Sequence, residues 1–224
     1  MEEKKFVTVR KEEYAIREFV KKEFGKGKIS TVKIEYTPVG EKIIVSTHKP
    51  GLIIGKRGEK IVELTEILKK KFKMENPHID ISEIKNPYFD AQLIADEIAL
   101  GLERFGSIRF KAICYKTLQK IKQSGALGAE IRAGGKLPAE RAKSWRFGFG
   151  FLKKTGDSAK VVDKAQSVAQ TLPGVIGIKV AILSPEKKIH DQIIITEDLL
   201  NQIKSNNSKT EVKEVKKVKK KVKS

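Results

Sequence analysis

Two glycines that enclose two basic residues, Gly55-Lys56-Arg57-Gly58, constrain the fold of this chain more than any other stretch. A β-rich run ends before them, and Pro50 and Gly51 break that run. Leu52-Ile53-Ile54 is apolar enough to be buried, which leaves the next four residues as an exposed turn. Glycine permits backbone conformations closed to residues with a Cβ, and the N–H groups at the start of a helix favour an anion. The stretch therefore predicts a phosphate-binding turn.

The elements around this turn decide between an ordinary turn with solvated basic residues and a nucleic-acid site. An amphipathic helix follows the turn, stops at Asn76-Pro77 and gives way to a strand at 79–84. The turn is preceded by a helix at 10–24 and by strands at 29–36 and 43–47. The order helix, strand, strand, short helix, turn, helix, strand resembles the type II KH domain, whose GxxG turn clamps single-stranded nucleic acid.

The sequence thus predicts an N-terminal type II KH domain, residues 1–86, with a three-stranded mixed sheet. Within it, the residues expected to contact RNA are Gly55, Lys56, Arg57 and Gly58.

Charge and composition narrow the class of partner. The 224 residues carry a formal net charge of +19 at pH 7, so a polyanion is expected. No apolar run of transmembrane length and no signal peptide stands out. A nucleic acid is therefore favoured over a membrane as the partner, and an intracellular location is expected. Cys114 is the single cysteine, and the three histidines are scattered, so neither a metal nor another cofactor is expected.

A second α/β domain is predicted at 87–196, with helices packed on a mostly antiparallel sheet. Helices are indicated at 90–105 and 109–123. Strands are indicated at 129–133, 144–152 and 175–183, whereas the pattern at 160–172 fits a helix or a strand.

Basic residues line both borders of the 109–123 helix. Arg109, Lys116 and Lys120 follow one border, and Lys111 and Lys122 follow the other. Contact with RNA and a simple solvated face both account for this pattern.

The loop and strand after the second-domain helices carry further cations and a run of aromatic residues. Because Trp145, Phe147, Phe149 and Phe151 recur with a period of two, they predict a packed sheet face rather than a base-stacking platform.

Cations alternate through the same region, at Lys136, Arg141, Lys143 and Arg146. Arg141 and Lys143 are two residues apart and are expected to point the same way. Arg146 is expected in the adjoining strand, on the face opposite the aromatic residues. The three cations together are predicted to grip one mRNA backbone.

The residues at 197–224 predict a short helix and a disordered basic tail. From 205 to 224 there are eight lysines and two glutamates, which contribute +6 to the net charge. Four valines, at 212, 215, 218 and 222, would form a helical stripe if phosphates neutralised the lysines.

Four blocks in order resemble the family of small-ribosomal-subunit protein three, in its archaeal and eukaryotic branch. They are PGLIIGKRG at 50–58, DAQLIAD at 90–96, GGKL followed by RAKS at 134–144, and PGVIGIKV at 173–180. The resemblance extends from about residue 10 to about residue 183.

This resemblance implies a cytoplasmic, structural RNA-binding protein of the ribosomal head, not an enzyme. Its implied partners are small-subunit rRNA, neighbouring head proteins and mRNA, with a role in unwinding mRNA where it enters the subunit. In bacterial relatives a pair of arginines near the start of the second-domain helix carries much of that role, and the matching positions here are Lys111 and Ala112. Arg141 and Lys143 match the family's loop directly.

Two other classes of function compete with this interpretation. A stand-alone KH-domain RNA chaperone or regulator needs only the first domain, and it leaves the last three blocks unexplained. A GTPase needs a GxxxxGK[ST] loop, which the sequence lacks, and an apurinic-site lyase needs a particular lysine that nothing in the sequence nominates. No paired-carboxylate, Ser/His/Asp or Cys/His constellation stands out, so no catalytic residue is predicted.

Overall fold

The computed structural model describes residues 2–38, 40–72, 74, 76–138, 141–187 and 189. Met1–Lys187 form one compact unit. Its helices are α1 (Glu2–Phe24), α2 (Pro50–Ile54), α3 (Glu59–Phe72), α4 (Ala91–Phe105) and α5 (Phe110–Gln123). Its strands are β1 (Ile29–Thr37), β2 (Gly40–Thr47), β3 (His78–Glu83), β4 (Gly128–Gly135), β5 (Lys143–Gly150), β6 (Asp163–Thr171) and β7 (Gly174–Leu183).

The first sheet has the order β1-β2-β3 and is mixed, as predicted. β1 and β2 are antiparallel because a tight turn joins them, with Thr37 opposite Gly40. β2 and β3 are parallel because α2 and α3 form the crossover between them. One core joins this sheet to α1 and α3, and its most buried side chains include Ile43, Val45, Ile53, Leu64 and Leu68.

Helix α1 begins at Glu2, well before the predicted start at residue 10. Ile16, Val20 and Phe24 recur at helical spacing and are buried against the first sheet. In the extra N-terminal turns, Phe6 and Val7 are exposed. Because these turns bury no apolar face, the sequence there has no apolar periodicity that would predict a helix.

The second sheet has the order β5-β4-β7-β6, and every pairing in it is antiparallel. The segment whose pattern fitted a helix or a strand is therefore a strand, β6. Helices α4 and α5 pack on one face of this sheet around Ile98, Ile131 and Ile178. We call the opposite face, which carries Arg132 and Lys179, the open face. The mixed α/β fold class expected for both halves is confirmed.

Hydrogen bonds connect the turn after α1 and strand β1 to the start of the second half of the unit. The Gly27 N–H donates to Asp96 Oδ2 of α4 at 2.9 Å. Ser30 Oγ donates to Asp90 Oδ2, while Asp90 Oδ1 accepts from the Gln92 and Leu93 N–H groups and so caps α4.

Two predictions remain outside these observations. The boundary between residues 86 and 87 stays a prediction, and the short helix and tail expected at 197–224 lie outside the described residues. Among the described residues, no helix has the length and apolar character needed to cross a membrane.

Candidate nucleic-acid interface

The GxxG turn has a backbone that most residues cannot adopt. Gly55 has φ 74° and Gly58 has φ 81°, and Arg57 between them lies in the left-handed region at φ 54°. A Cβ on Gly55 would also lie 2.8 Å from the Lys60 side chain. The two glycines therefore permit a tight reversal that brings Lys56 and Arg57 to the surface immediately before α3.

The short helix α2 holds the turn against the core through one side chain. Ile53 is fully buried, whereas Leu52 and Ile54 are 47% and 37% exposed. The prediction that all three are buried was wrong, because one turn of helix directs only one of three consecutive residues toward the sheet. The Gly55 N–H closes α2 by donating to the Gly51 carbonyl at 3.1 Å.

The electrostatics of the turn suit an anion. Lys56 and Arg57 are exposed, and neither side chain forms an ion pair among the described residues. The N-terminus of α3 lies directly after Gly58, and its first N–H, that of Glu59, donates to the Lys56 carbonyl. A helix dipole and two cations thus converge on one exposed point.

Helix α5 presents its predicted cations in three different states. Arg109 and Lys116 are exposed. Lys111 is also exposed, with its Nζ 4.5 Å from the centre of the Trp145 ring, where a cation–π contact holds it. Lys120 donates to Glu97 Oε1 at 2.7 Å, and this hydrogen bond raises the pKa of Lys120 above its ordinary value.

The state of Lys120 therefore differs from that expected of a free RNA-binding cation. Arg109, Lys111 and Lys116 remain available to a ligand on the exposed side of α5.

The aromatic residues of β5 pack against α5, as predicted. Phe147 is buried, and its ring centre lies 5.0 Å from that of Tyr115 and 6.3 Å from that of Phe110. Trp145 makes an edge contact with Phe110 at 5.8 Å. Phe151 follows the end of β5 and is 55% exposed, so the packed face ends before it.

The loop before β5 places its cations on two different faces. Lys136, Arg141 and Lys143 are exposed, and Leu137 anchors the loop with 2% exposure. Because strand residues alternate, Lys143 lies on the same side as Trp145, whereas Arg146 lies on the open face. The placement of Arg146 opposite the aromatic residues is as predicted, whereas the grip of Arg141, Lys143 and Arg146 on one mRNA backbone stays a prediction. Arg146 donates from Nη2 to Glu130 Oε2 at 2.8 Å.

Sequence patterns missed the centre of the open face. Glu130 has a side chain only 8% exposed and accepts hydrogen bonds from Arg132 Nε at 2.5 Å and Lys154 Nζ at 2.6 Å, as well as from Arg146. Burial tends to raise the pKa of Glu130, but hydrogen bonds from Lys154 and Arg132 lower it to about 2. Charged residues two positions apart, Glu130 and Arg132, gave a signal for the face, but not for this cluster.

Comparisons with known proteins agree with this architecture. Residues 15–88 match the KH domain family, and residues 98–182 match the C-terminal domain family of ribosomal protein S3. The small ribosomal subunit protein uS3 of Methanocaldococcus jannaschii is 41% identical over 88% of this chain and 95% of its own length. This chain belongs to the uS3 family.

Other uS3 proteins extend the similarity. That of Methanococcus maripaludis strain C5 is 32% identical over 91% of the chain and 96% of its own length. That of Halobacterium salinarum is 36% identical over 82% of the chain but only 60% of its own length. The family identified from the four sequence blocks, and its archaeal character, are confirmed.

The surfaces described above carry exposed cations on the GxxG turn, before and on α5, and around β4 and β5. Among the described residues, no group of three or more His, Cys, Asp or Glu side chains is placed to hold a metal ion.

Proposed function

We propose that this chain is a constituent of the small ribosomal subunit that binds rRNA through the GxxG turn and the second sheet domain. Membership of the uS3 family supports the assembly, and the geometry of the turn supports the contact. The observation that carries the proposal is the exposed pair Lys56 and Arg57, held between two glycines of positive φ at the start of α3.

The turn binds the phosphate backbone with little regard to base sequence. Backbone N–H groups and two cations read charge and shape, and neither presents a pattern complementary to a base edge. The ligand is therefore a stretch of single-stranded RNA held by its phosphates, and its position on the rRNA is set by the rest of the assembly.

A finer part of the proposal concerns mRNA. Exposed cations lie just before and on α5, at Arg109, Lys111 and Lys116, and between β4 and the start of β5, at Lys136, Arg141 and Lys143. They line the channel through which mRNA enters the subunit. They hold separated strands by binding the single-stranded product, with no nucleotide consumed. Lys111 is pre-positioned for this by the Trp145 ring beneath it.

The first test compares two double variants for binding to single-stranded RNA. Lys56→Asp with Arg57→Asp changes the charge of the turn, and Lys21→Asp with Lys22→Asp makes the same change at the end of α1. Removal of one phosphate contact should lower the slope of log affinity against log salt by about 0.7. The turn variant should therefore lose about 1.4 in slope, with an unchanged circular-dichroism melt. Equal effects of the two variants would contradict a specific role for the turn.

The second test concerns assembly and mRNA. The tagged protein should sediment with small ribosomal subunits at moderate salt, whereas a stand-alone KH regulator would stay in the soluble fraction. Subunits that carry Arg109→Ala with Lys116→Ala should translate an mRNA with a stable hairpin more slowly than an unstructured one. Equal slowing on both messages would assign these residues to rRNA rather than mRNA.

A further inference from the structure

Cations from three strands form one row across the open face of the second sheet. Arg132 of β4 lies opposite Arg146 of β5 on one side and opposite Lys179 of β7 on the other. Gln166 of β6 continues the row beside Lys179. All four side chains are exposed. Neighbouring strands are about 4.8 Å apart, so the three cations span roughly 10 Å.

Glu130 accepts hydrogen bonds from two members of this row, Arg132 and Arg146, and so holds them in position. Its side chain is 8% exposed, whereas those of Arg132 and Arg146 are 52% and 58% exposed. Each arginine has five N–H donors in a rigid fork, so those not directed at Glu130 remain available to a ligand. With Lys154 as the third partner, one carboxylate faces three cations, and the cluster retains an excess of positive charge.

The rows on either side of these cations each include glycines. Gly134 and Gly177 are neighbours on one side, and Gly148 lies next to Glu130 on the other. A Cβ would meet no atom closer than 3.9 Å at Gly134, 3.8 Å at Gly177 or 3.5 Å at Gly148. Since packing within the chain does not require these glycines, they are suited to the close approach of another molecule's backbone.

Two open depressions adjoin the row. One has a volume of about 280 Å³, and its lining includes Arg132, Lys154, Lys164 and Lys179. The other, of about 520 Å³, includes Arg146, Gly148 and Lys154. Glu130 lines both. The surface is therefore cationic, low in relief and wide enough to accept an extended anionic ligand.

We propose that the open face is a further RNA site, which binds the sugar-phosphate backbone of a base-paired rRNA segment through Arg132, Arg146 and Lys179. Glu130 is its positioning residue. This deepens the proposed function and rests on it. A duplex is the favoured ligand because Trp145 and Phe147 lie on the other face, so no ring of this row stacks on an unpaired base, whereas phosphates of a duplex need only charge and access.

The direct test measures the affinity of the full chain for a blunt-ended RNA duplex over a range of salt. Arg132→Gln with Lys179→Gln removes two contacts and should lower the log–log salt slope by about 1.8. Gly177→Leu keeps every charge but fills the low row, and it should weaken binding severalfold. Lys21→Gln with Lys22→Gln is the charge-matched control. Thermal melts establish that each variant folds. If Gly177→Leu does not fold, Gly148→Leu takes its place.

Glu130→Gln separates positioning from charge. It removes a negative charge from a basic surface, so electrostatics alone would strengthen duplex binding. The proposal expects weaker binding instead, because the two guanidinium groups lose their anchor. A rise in affinity would overturn the positioning role.

The remaining outcomes distinguish this site from the GxxG turn. Lys56→Asp with Arg57→Asp should weaken binding of single-stranded RNA and leave duplex binding largely intact. If that variant binds single-stranded RNA as well as the parent does, only the proposed function of the turn is contradicted. Open-face and control variants that behave alike would overturn the duplex site. The open-face variants could also bind the duplex normally and yet fail to enter small subunits. That result would assign this face to contact with an acidic protein and would overturn the duplex site.

Discussion

Lys26 and Glu103 form a 2.9 Å ion pair that joins the turn after α1 to helix α4. Lys26 Nζ also donates to the Val168 carbonyl at 2.8 Å, and Glu103 Oε1 also accepts from the Gln170 N–H at 3.0 Å. One pair of side chains thus connects the first half of the unit, α4 and the edge strand β6. The GxxG turn and the open face are consequently carried by one connected body.

We predict that this pair contributes a measurable coupling energy. A double-mutant cycle of Lys26→Met and Glu103→Gln, followed by urea unfolding, should give about 0.5 to 1 kcal/mol at neutral pH. The hydrogen bond from the Gln170 N–H, and then that from Lys26, hold the pKa of Glu103 below its ordinary value. The contribution is therefore complete above that ordinary value and is lost as the pH falls through the lowered one.

The matched control is the exposed pair Lys160 and Asp157, whose side chains are 83% and 77% exposed. The same cycle there should give no measurable coupling. Equal coupling in both pairs would mean that the contacts around Lys26 and Glu103 add nothing to an ordinary surface pair.

Glu130 should make stability depend on pH in the acid range. Its folded pKa of about 2 lies below the ordinary value of 4.5, so its contribution is complete above about pH 4.5 and is lost as the pH falls toward 2. Glu130→Gln should therefore lower the free energy of unfolding at pH 7. Urea midpoints at pH 7 and pH 3 measure the difference. If the gap between parent and variant does not narrow at pH 3, the ionised carboxylate is not its cause.

Arg57 should separate stability from binding. Its left-handed backbone costs a non-glycine residue about 1 to 2 kcal/mol, so Arg57→Gly should not lower the free energy of unfolding. The same change removes a cation from the turn and should weaken binding of single-stranded RNA. Lys56→Gly is the control, since it removes a cation without relieving a positive φ and should destabilise by about 0.5 to 1 kcal/mol. Chemical denaturation and RNA titration of both variants give the comparison, and a less stable Arg57→Gly would be incompatible with backbone strain at this residue.

Cys114 should be unreactive in the folded protein. Its side chain is fully buried in the second core, and burial raises the pKa of the thiol to about 11. A disulfide reagent at pH 8 should label the native chain far more slowly than the urea-unfolded chain, because only the thiolate reacts. Fast labelling of the native protein, with the melt unchanged, would show that α5 opens readily at this position.

Local sequence patterns predicted the elements well and the partners of charged side chains poorly. Glycine placement and apolar periodicity predicted the turn at Gly55, the helices after it and the packed face that contains Phe147, because both signals act over a few residues. They could not decide between helix and strand for β6, because its pairing partner among the described strands is β7, which follows it in the chain.

The charged residues show why the candidate site was harder to predict. Lys120 is paired with Glu97, which lies on another helix, and Arg146 is held by Glu130 of the adjacent strand. Such partners depend on packing and strand register, which no spacing in the sequence reveals. Arg132 and Lys179 went unnoticed for the same reason, since they become neighbours only when β4 and β7 pair.

The double role of Asp90 has a consequence for how the protein forms during synthesis. Domains generally fold as units, with the N-terminal part first as it leaves the ribosome. By the time Asp90 emerges, the strand that carries Ser30 has already been made. The carboxylate that starts α4 also bonds to Ser30. The cap of helix α4 is therefore held by a carboxylate that also bonds to β1, so the start of the later half is coupled to a strand of the earlier half.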